Sequence, residues 1–474
     1  MRIVIATPEA VPYVKSGGLA DVTGALFSQF RKMGHSVSLF LPFYGTVQKL
    51  QRPRKSLSGQ KVNLGDRMYY FDVFSEKNAY FISNDYFFRR AGLYGDKAGD
   101  YPDNIERFAF FCKAMLHSIK KLDLAPDIIH SHDWQTALIP TYLSFEHSMG
   151  NIKTVFTIHN MGYQGIAPHE TLQNIGIPDR YFTLDGLEYY GNINLLKAGI
   201  RFADAVSTVS PTYADEITLP HFGFGLNGIL KEKGVTGILN GLDYDLWDPS
   251  SDRFLLSTFS RSNLTDRRLC KQDLCKIAGF RDRDNALIGV IGRFTTQKGH
   301  DIIASAMEKI VELRANVMIL GEGDPAVERS FSVATSSFPD KIYLNTSFND
   351  TLARKIYAGS DLFLMPSRYE PCGLAQMIAM RYGSVPVVNM TGGLADTVDD
   401  FNTGNNHGTG FVFRLGDVHS MIECLKRALC VYGNKQDWER IVLNAMAKRF
   451  RWSDSVKKYI KLFETLSGST ANAH

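Results

Sequence analysis

Short apolar-rich runs alternate with longer amphipathic segments along most of the chain. The first half contains RIVIA (2–6), VSLFL (37–41), DIIH (127–130), KTVFTIH (153–159), DAVSTVS (204–210) and TGIL (236–239). The second half contains ALIGVIG (286–292), NVMILGEG (316–323), KIYLN (341–345), DLFLMP (361–366) and VPVVN (385–389). Apolar runs separated by segments of helical length, such as that from Gly18 to about Met33, predict parallel strands covered by helices on both faces.

A break in this rhythm divides the chain into two series. Between residues 241 and about 283 the sequence turns polar and charged. We therefore predict a first Rossmann-like α/β domain over 1–242 and a second over 243–450, with an amphipathic helix and a polar tail over 451–474. Ligands of doubly wound sheets bind beyond the carboxyl ends of the strands, so the expected site is a cleft between the two domains.

Composition narrows the class of protein. Of 474 residues, 44% are hydrophobic and 22% are charged, with a net charge of +4 and no long basic run. This balance is typical of a globular protein and does not favour binding to nucleic acid. The N-terminus reads as a strand and no apolar stretch reaches membrane-spanning length, so neither a signal peptide nor a membrane partner is expected. Six cysteines without a C-x-x-C pair favour reduced thiols in the cytoplasm.

Two glycine-rich loops share the letters GGLAD. The first, KSGGLAD (15–21), follows the first apolar run, and the second, TGGLAD (391–396), follows VPVVN. Paired glycines at a helix start expose N–H groups that favour an anion, and Lys15 adds a positive charge to the first loop. A loop that merely needs glycines, recurring by chance, is the alternative explanation.

Two further loops of the second half carry charged side chains after a strand. GRFTTQKG (292–299) offers Arg293 and Lys298, a combination suited to a diphosphate, although Arg293 paired with a carboxylate is the alternative. SRYEPCGLAQ (367–376) places Glu370 just before a helix predicted to begin at Gly373. That carboxylate either holds a sugar or ribose hydroxyl or simply caps the helix.

Histidines stand at two strand ends of the first half. TIHN (157–160) ends with His159 and Asn160, and His159 is a candidate to contact a substrate hydroxyl or developing charge, although such a histidine is more often structural. HSHDWQ (130–135) holds two histidines and Asp133 close together. Because it lacks a third matched ligand, we favour sugar contact or cleft lining over a metal site.

Taken together and in this order, K-x-G-G-L-A-D, HDWQ, TIHN, NG-x-D, GR-x(4)-KG, SR-[FY]-EPCGL and TGGLADTV resemble the bacterial glycogen synthases and plant starch synthases of glycosyltransferase family 5. The resemblance covers residues 1 to about 465. It implies the two-domain GT-B fold, with the final helix packing back on the first domain. It also implies retaining transfer of glucose from ADP-glucose to the non-reducing 4-hydroxyl of an α-1,4-glucan, with no metal and no other cofactor.

The resemblance also implies roles for particular residues. Catalytic roles fall on Glu370 as the active-site glutamate, on His159 near the glucosyl group, and on Arg293 and Lys298 at the leaving diphosphate. The substrate-binding positions would be Lys15, Gly18, Asp21, Asp133, Asn160, Asn240, Cys372, Gly373, Thr391, Gly392 and Gly393. The loop 391–393 would supply backbone donors, while small-residue packing is the alternative reason for Cys372.

The sequence also bears on the mechanism and on rival functions. Some retaining relatives carry E-x(7)-E, but the second position here is Ile378, which disfavours a double displacement and favours front-face attack by the glucan hydroxyl. The rivals are a retaining transferase that uses a UDP- or GDP-sugar, a pyridoxal-phosphate-dependent phosphorylase, and a non-catalytic glucan-binding protein. The choice of ADP rests on the resemblance, and nothing in the sequence indicates the oligomeric state.

Overall fold

The computed structural model describes residues 1–50, 53–145, 149, 151–404, 407–414 and 416–468, without the side chains of 48–50. The chain divides into two compact units. Unit 1 comprises Met1–Val209, Ala214–Gly241 and Trp452–His474, and unit 2 comprises Ser210–Tyr213 and Leu242–Arg451. The tail of the predicted final helix, residues 469–474, lies outside the described residues.

The first part of the chain, up to residue 241, alternates fourteen strands with nine helices among the described residues. The strands are β1 (Arg2–Ala6), β2 (Ser36–Pro42), β3 (Arg54–Leu64), β4 (Arg67–Glu76), β5 (Ala79–Ser83), β6 (Gly95–Asp96), β7 (Gly99–Asp100), β8 (Ile128–His132), β9 (Lys153–Ile158), β10 (Ile166–Pro168), β11 (Glu188–Tyr189), β12 (Asn192–Asn194), β13 (Ala205–Thr208) and β14 (Val235–Gly237). The helices are α1 (Gly18–Lys32), α2 (Gly45–Leu50), α3 (Asp85–Phe88), α4 (Asn104–Lys121), α5 (Leu138–Phe145), α6 (Thr171–Ile175), α7 (Leu195–Phe202), α8 (Pro211–Glu216) and α9 (Asn227–Lys233).

The second part of the chain repeats the alternation with longer helices and ends with one helix that belongs to unit 1. The strands are β15 (Ala286–Ile291), β16 (Ala315–Leu320), β17 (Ile342–Asn345), β18 (Leu362–Met365), β19 (Val385–Asn389) and β20 (Phe411–Phe413). The helices are α10 (Arg267–Ala278), α11 (His300–Ser305), α12 (Met307–Glu312), α13 (Pro325–Ser337), α14 (Asp350–Gly359), α15 (Ala375–Arg381), α16 (Gly392–Thr397), α17 (Val418–Gly433), α18 (Lys435–Ala447) and α19 (Trp452–Leu466).

Unit 1 is built on a nine-stranded sheet in the order β14-β13-β9-β8-β1-β2-β5-β4-β3. The strands from β14 to β5 are parallel, and β4 and β3 extend the sheet as antiparallel strands. The largely buried strands β1, β2, β8, β9 and β13, together with the more exposed edge strand β14, confirm the strands predicted for this part of the chain. The β3–β4–β5 meander was not predicted, because β3 is largely exposed and carries no continuous apolar run.

The final helix of unit 1 closes the core beside the first helix. The ring of Phe463 on α19 stacks on Phe30 of α1 with centroids 5.6 Å apart, and Tyr459 approaches the same ring edge-on. The same two rings also meet the sheet, where the His130 ring lies 5.0 Å from that of Tyr459 and 5.5 Å from that of Phe463. Residues at the two ends of the sequence therefore bury one continuous apolar surface.

Unit 2 contains a six-stranded sheet in the order β17-β16-β15-β18-β19-β20, with every pair parallel. All five strands predicted for this part of the chain are present, and β15, β16, β18 and β19 are almost fully buried. Because each strand runs in the same direction, the loops that follow them gather at one edge of the sheet. Among the described helices of the whole chain, none has the length and apolarity needed to cross a bilayer.

Candidate functional site

The loop after β1 is held by a buried carboxylate from within the loop. Glu9 is 3% exposed, and its Oε2 accepts hydrogen bonds from the N–H groups of Ser16 (2.5 Å) and Gly17 (3.2 Å). Its Oε1 accepts from the hydroxyls of Ser16 (2.9 Å) and Tyr94 (3.0 Å). Two of the amides expected to face an anion at the start of α1 are therefore already paired within the protein, and Glu9 shapes the loop.

Lys15 and the two glycines of this loop remain accessible. Lys15 Nζ lies 2.8 Å from the Asp21 carboxylate, and about half of the lysine side chain is exposed. A Cβ built at Gly17 or Gly18 would meet nothing within 4 Å. Since neither residue has a positive φ, the protein itself gives no packing or conformational reason for the two glycines. This leaves room for a ligand to approach the backbone.

Three histidines and a threonine lie at the carboxyl ends of β8 and β9. His132 Nδ1 is 3.0 Å from His159 Nε2, and His130 Nε2 is 2.6 Å from Thr157 Oγ1. Burial lowers the pKa of His130 and of His159 to about 3, and it lowers the pKa of His132 well below its usual range. All three rings are therefore neutral at physiological pH.

Asp133 occupies a strained position beside these rings. Its φ is 57°, unusual for a residue with a side chain, and its Oδ1 accepts the backbone N–H of His159 at 2.7 Å. Desolvation raises the pKa of the Asp133 carboxyl to about 7, although the N–H groups of His159 and Asn160 lower it. A carboxyl that titrates near neutral pH, held in strained backbone, is typical of a functional site.

Two asparagines complete the candidate residues of unit 1. Asn240, after β14, is 5% exposed, and its buried Oδ1 has no hydrogen-bond partner among the described residues. Asn160 accepts the N–H of Gly162 at 2.9 Å and shapes the loop after β9. The side chains of Asn160 and Asn240 thus differ in role, one ordering its own loop and the other leaving an acceptor unused.

In unit 2 the structure brings Lys298 and Glu370 together. Lys298 ends a 3-10 turn (Thr296–Lys298) after β15, and Glu370 follows β18, the neighbouring parallel strand. Lys298 Nζ lies 2.6 Å from Glu370 Oε2, which also accepts the hydroxyl of Ser367 at 3.1 Å. Glu370 is 4% exposed, so its charge is balanced by the lysine rather than by water.

The loops that carry this pair are joined by a second set of contacts. The N–H of Arg368 donates to the carbonyl of Gln297 at 2.8 Å, and its guanidinium binds both oxygens of Asp301 at 2.7 Å. Arg293, in contrast, is exposed and forms no ion pair with another described residue. An unpaired guanidinium and an ammonium held by Glu370 in the loop after β15 give this edge of the sheet cationic groups for an anionic ligand.

The EPCG turn departs from the sequence prediction. Gly373 has φ +73°, so it cannot begin a helix, and α15 starts two residues later at Ala375. Gln376 Nε2 donates to the carbonyls of Cys372 and Gly373, both at 3.0 Å, which fixes the turn. Glu370 is therefore held as an ion-pair partner, and the alternative that it caps a helix starting at Gly373 is wrong.

In the second GGLAD sequence Gly393 is packed tightly against the protein, whereas the space beside Gly17 and Gly18 in the first is empty. Thr391 is the N-cap residue of α16, and the N–H of Gly393 donates to the carbonyl of Glu370 at 2.9 Å. A Cβ on Gly393 would lie 2.0 Å from the Cys372 carbonyl oxygen. The amide of Gly393 is thus engaged within the protein, contrary to the expectation that it faces a ligand. Gly392 begins the same helix.

Sequence reasoning missed several residues that order these loops. They are Glu9, His132 as a partner of His159, Ser367, Gln376 and Asp396, which accepts the N–H and hydroxyl of Thr212 at 2.9 and 2.7 Å. The feature of the sequence that could have revealed these residues is a polar side chain in or beside a loop that already carries a motif. Across the described residues, no group of three or more His, Cys, Asp or Glu side chains is arranged to hold a metal ion.

Comparison with known proteins identifies the family. Residues 2–232 match the family model "Starch synthase catalytic domain", and residues 285–430 match "Glycosyl transferases group 1". A glycogen synthase of Geotalea uraniireducens is 42% identical over 475 residues, covering 98% of both chains. The chain belongs to the glycogen synthase family. The resemblance seen in the sequence is therefore confirmed, and the chain is a glycosyltransferase.

Other members of the family and solved structures agree. A glycogen synthase of Thermotoga maritima is 40% identical, covering 98% of both chains. The catalytic domain of starch synthase IV from Arabidopsis thaliana, solved bound to ADP and acarbose, is 32% identical with a TM-score of 0.88, covering 98% of this chain and 99% of that one. Sucrose-phosphate synthase from Thermosynechococcus elongatus, at 18% identity, 99% coverage of both chains and a TM-score of 0.62, shares the fold. The predicted GT-B fold is confirmed.

Proposed function

We propose that the protein elongates an α-1,4-glucan by transferring glucose from ADP-glucose to the non-reducing 4-hydroxyl, with retention of the anomeric configuration. The observation that carries this proposal is the set of Arg293, Lys298 and Glu370 at the strand ends of unit 2, in a chain whose whole length matches glycogen synthases. The polymer and the donor follow from the relatives, and the cationic groups give them a physical basis.

The chemistry requires stabilisation of a leaving diphosphate. The bond from the sugar C1 to a diphosphate oxygen breaks, and negative charge grows on the ADP. Arg293 is exposed and unpaired among the described residues, and Lys298 is held in place by Glu370, so both are suited to receive that charge. We propose that these side chains act without a metal ion and without another cofactor.

The attack on C1 is proposed to occur on the face from which ADP leaves. A double displacement needs a carboxylate nucleophile, but the Glu370 carboxylate is engaged by the ammonium of Lys298 and the hydroxyl of Ser367, and position 378 is a buried isoleucine in α15. In the proposed step the glucan O4 forms the new bond to C1 while its proton passes to the leaving phosphate oxygen. Glu370 then serves to hold Lys298 rather than to bond to sugar.

We assign the remaining candidates in unit 1 to substrate contact. Lys15, Asp21 and the open backbone at Gly18 are proposed to bind the donor, and His159, Asp133 and Asn240 to contact glucosyl or phosphate groups. A cytoplasmic location is also proposed, because all six cysteines are free and five of them are buried.

The first test is incorporation of labelled glucose into glycogen from ADP-glucose or UDP-glucose, with EDTA present. Incorporation from ADP-glucose supports the donor, the polymer and the absence of a metal requirement together. Incorporation from UDP-glucose alone would favour the UDP-sugar transferase, and none from either would contradict glucan elongation.

A substitution tests the charge role of Glu370. E370Q keeps the shape of the side chain but leaves Lys298 without its carboxylate, and we expect kcat to fall by about 100-fold or more. The matched control is E322Q, because Glu322 is exposed in a loop of the same unit. An E370Q protein that keeps most of its turnover would refute the proposed role.

A further inference from the structure

A histidine that the proposed mechanism does not use lies directly behind one that it does. His132 is fully buried at the end of β8, and its Nδ1 is 3.0 Å from Nε2 of His159, which follows the adjacent strand β9. The backbone N–H of His132 donates to Thr136 Oγ1 at 2.6 Å, and that hydroxyl donates back to the His132 carbonyl at 2.8 Å. The backbone from which the His132 ring projects is therefore held in place.

The two rings are joined by a single hydrogen bond, in which either ring could be the donor. Both are neutral, because burial disfavours the charged imidazolium, so each ring carries one N–H and one lone pair. Either His132 donates from Nδ1 to Nε2 of His159, or His159 donates from Nε2 to Nδ1 of His132. The two arrangements place the remaining proton of His159 differently.

The surroundings of His132 decide between them. Its Nε2 is buried and has no hydrogen-bond partner among the described residues. If His159 were the donor, His132 would carry its proton on that Nε2 and bury an unpaired N–H group. Orphaned buried N–H groups are rarer in proteins than under-satisfied acceptors, so the proton belongs on Nδ1 of His132.

His159 is also fixed through its main chain. Its backbone N–H donates to Asp133 Oδ1 at 2.7 Å, while its Nε2 is occupied by His132. With Nε2 as the acceptor of that contact, the ring proton of His159 must lie on Nδ1. Nδ1 is then the ring atom that His159 can offer to a ligand, and it offers a donor.

We propose that His132 is a positioning residue that holds His159 in its Nδ1–H tautomer, so that His159 donates a hydrogen bond to a hydroxyl oxygen of the transferred glucose. The role of the ring at the sugar rests on the proposed function, whereas the tautomer rests on the structure of unit 1. His132 itself does not touch the substrate.

Two substitutions of similar size test the positioning role. H132N retains an amide N–H at about the place of Nδ1–H, and H132L retains none. We expect H132L to lower kcat by about 10- to 100-fold, as loss of a partner that orients a functional histidine does, while KM changes far less. H132N should recover most of the activity, and equal thermal midpoints would show that both variants fold. Equal loss of kcat in the two variants would overturn the proposal.

A spectroscopic test requires no substrate. With ¹⁵N-labelled histidine rings, and the His159 signals assigned by their loss in H159Q, wild-type protein should show a protonated Nδ1 and an unprotonated Nε2. H132L should shift His159 toward the Nε2–H form. A protonated Nε2 in wild type would overturn the proposal. The expected spectrum in a protein that incorporates no glucose would support the tautomer and contradict the proposed function instead.

Discussion

Glu9 offers a sharp test of how the first glycine-rich loop is built. Its two carboxylate oxygens accept from four donor groups, the amides of Ser16 and Gly17 and the hydroxyls of Ser16 and Tyr94. Tyr94 keeps its proton, because burial and the nearby Glu9 carboxylate raise the pKa of its phenol well above the usual range. Removing the carboxylate leaves these donors without their acceptor inside a loop that carries Lys15.

The free-energy cost of removing the carboxylate depends on which of these donors can bond to water instead. The two amides are the costly ones, and a hydrogen bond to a charged group is worth roughly 1.5–3 kcal/mol. Ser16 is exposed, so the lower figure applies, and E9A should cost the ordered loop about 3 kcal/mol. If the loop must order to bind ADP-glucose, KM rises by up to about 100-fold. In E9Q the amide oxygen can still face both amides, so KM should rise by less than about fivefold.

The assay is steady-state kinetics with ADP-glucose, together with hydrogen exchange over residues 10–24. E188A is the matched control, because Glu188 accepts the N–H of Gly191 at 2.9 Å in a different loop of the same unit. E9A should lose protection at Ser16 and Gly17 and E188A should not. Wild-type KM and unchanged protection in E9A would refute the reasoning.

Three further predictions concern other parts of the two units. The Asp133 carboxyl has a pKa of about 7. If catalysis needs its carboxylate form, kcat/KM should increase about tenfold for each unit by which the pH is raised toward 7. D133N should remove this pH dependence. Because that pKa is raised, the protonated Asp133 adds to the free energy of unfolding at low pH, and this contribution is lost as the pH rises from about 4 through about 7. Urea unfolding across this range should show the loss in the wild-type protein and not in D133N. G393A should lower the thermal midpoint, since a Cβ there meets a carbonyl oxygen at 2.0 Å, whereas G17A should leave it unchanged and alter KM instead. R293A should lower kcat/KM for ADP-glucose at least about tenfold, while R329A, at an exposed arginine of unit 2, should not; equal effects would contradict a diphosphate contact.

The sequence predicted the buried strands well, because burial on both faces leaves a direct mark. RIVIA coincides with β1 and VPVVN with β19, since a strand covered on both sides needs apolar residues at every position. Edge strands need apolar residues on one face only, and β3 is mostly exposed, so its eleven residues gave no such run. The start of α15 was misplaced because a glycine with φ +73° ends a turn there.

The sequence identified the candidate residues by their place in loops after strands, but it did not show which side chains they contact. Lys298 and Glu370 are 72 positions apart, and they meet only because β15 and β18 are neighbours in the sheet. His132 and His159 are likewise joined by the pairing of β8 with β9. Local patterns carry no information about strand order, so which side chains face one another emerges only with the tertiary structure.

The place of α19 has a consequence for synthesis of the protein. Residues 452–466 are synthesised after residues 242–451, yet the rings of Phe463 and Tyr459 in this helix cover Phe30 and His130, which are made early. Unit 1 therefore waits for the whole of residues 242–451 to be translated before its apolar surface is covered. A nascent chain in that interval exposes an unfinished core, which makes it a natural client for a chaperone and exposes any prematurely terminated product to proteolysis.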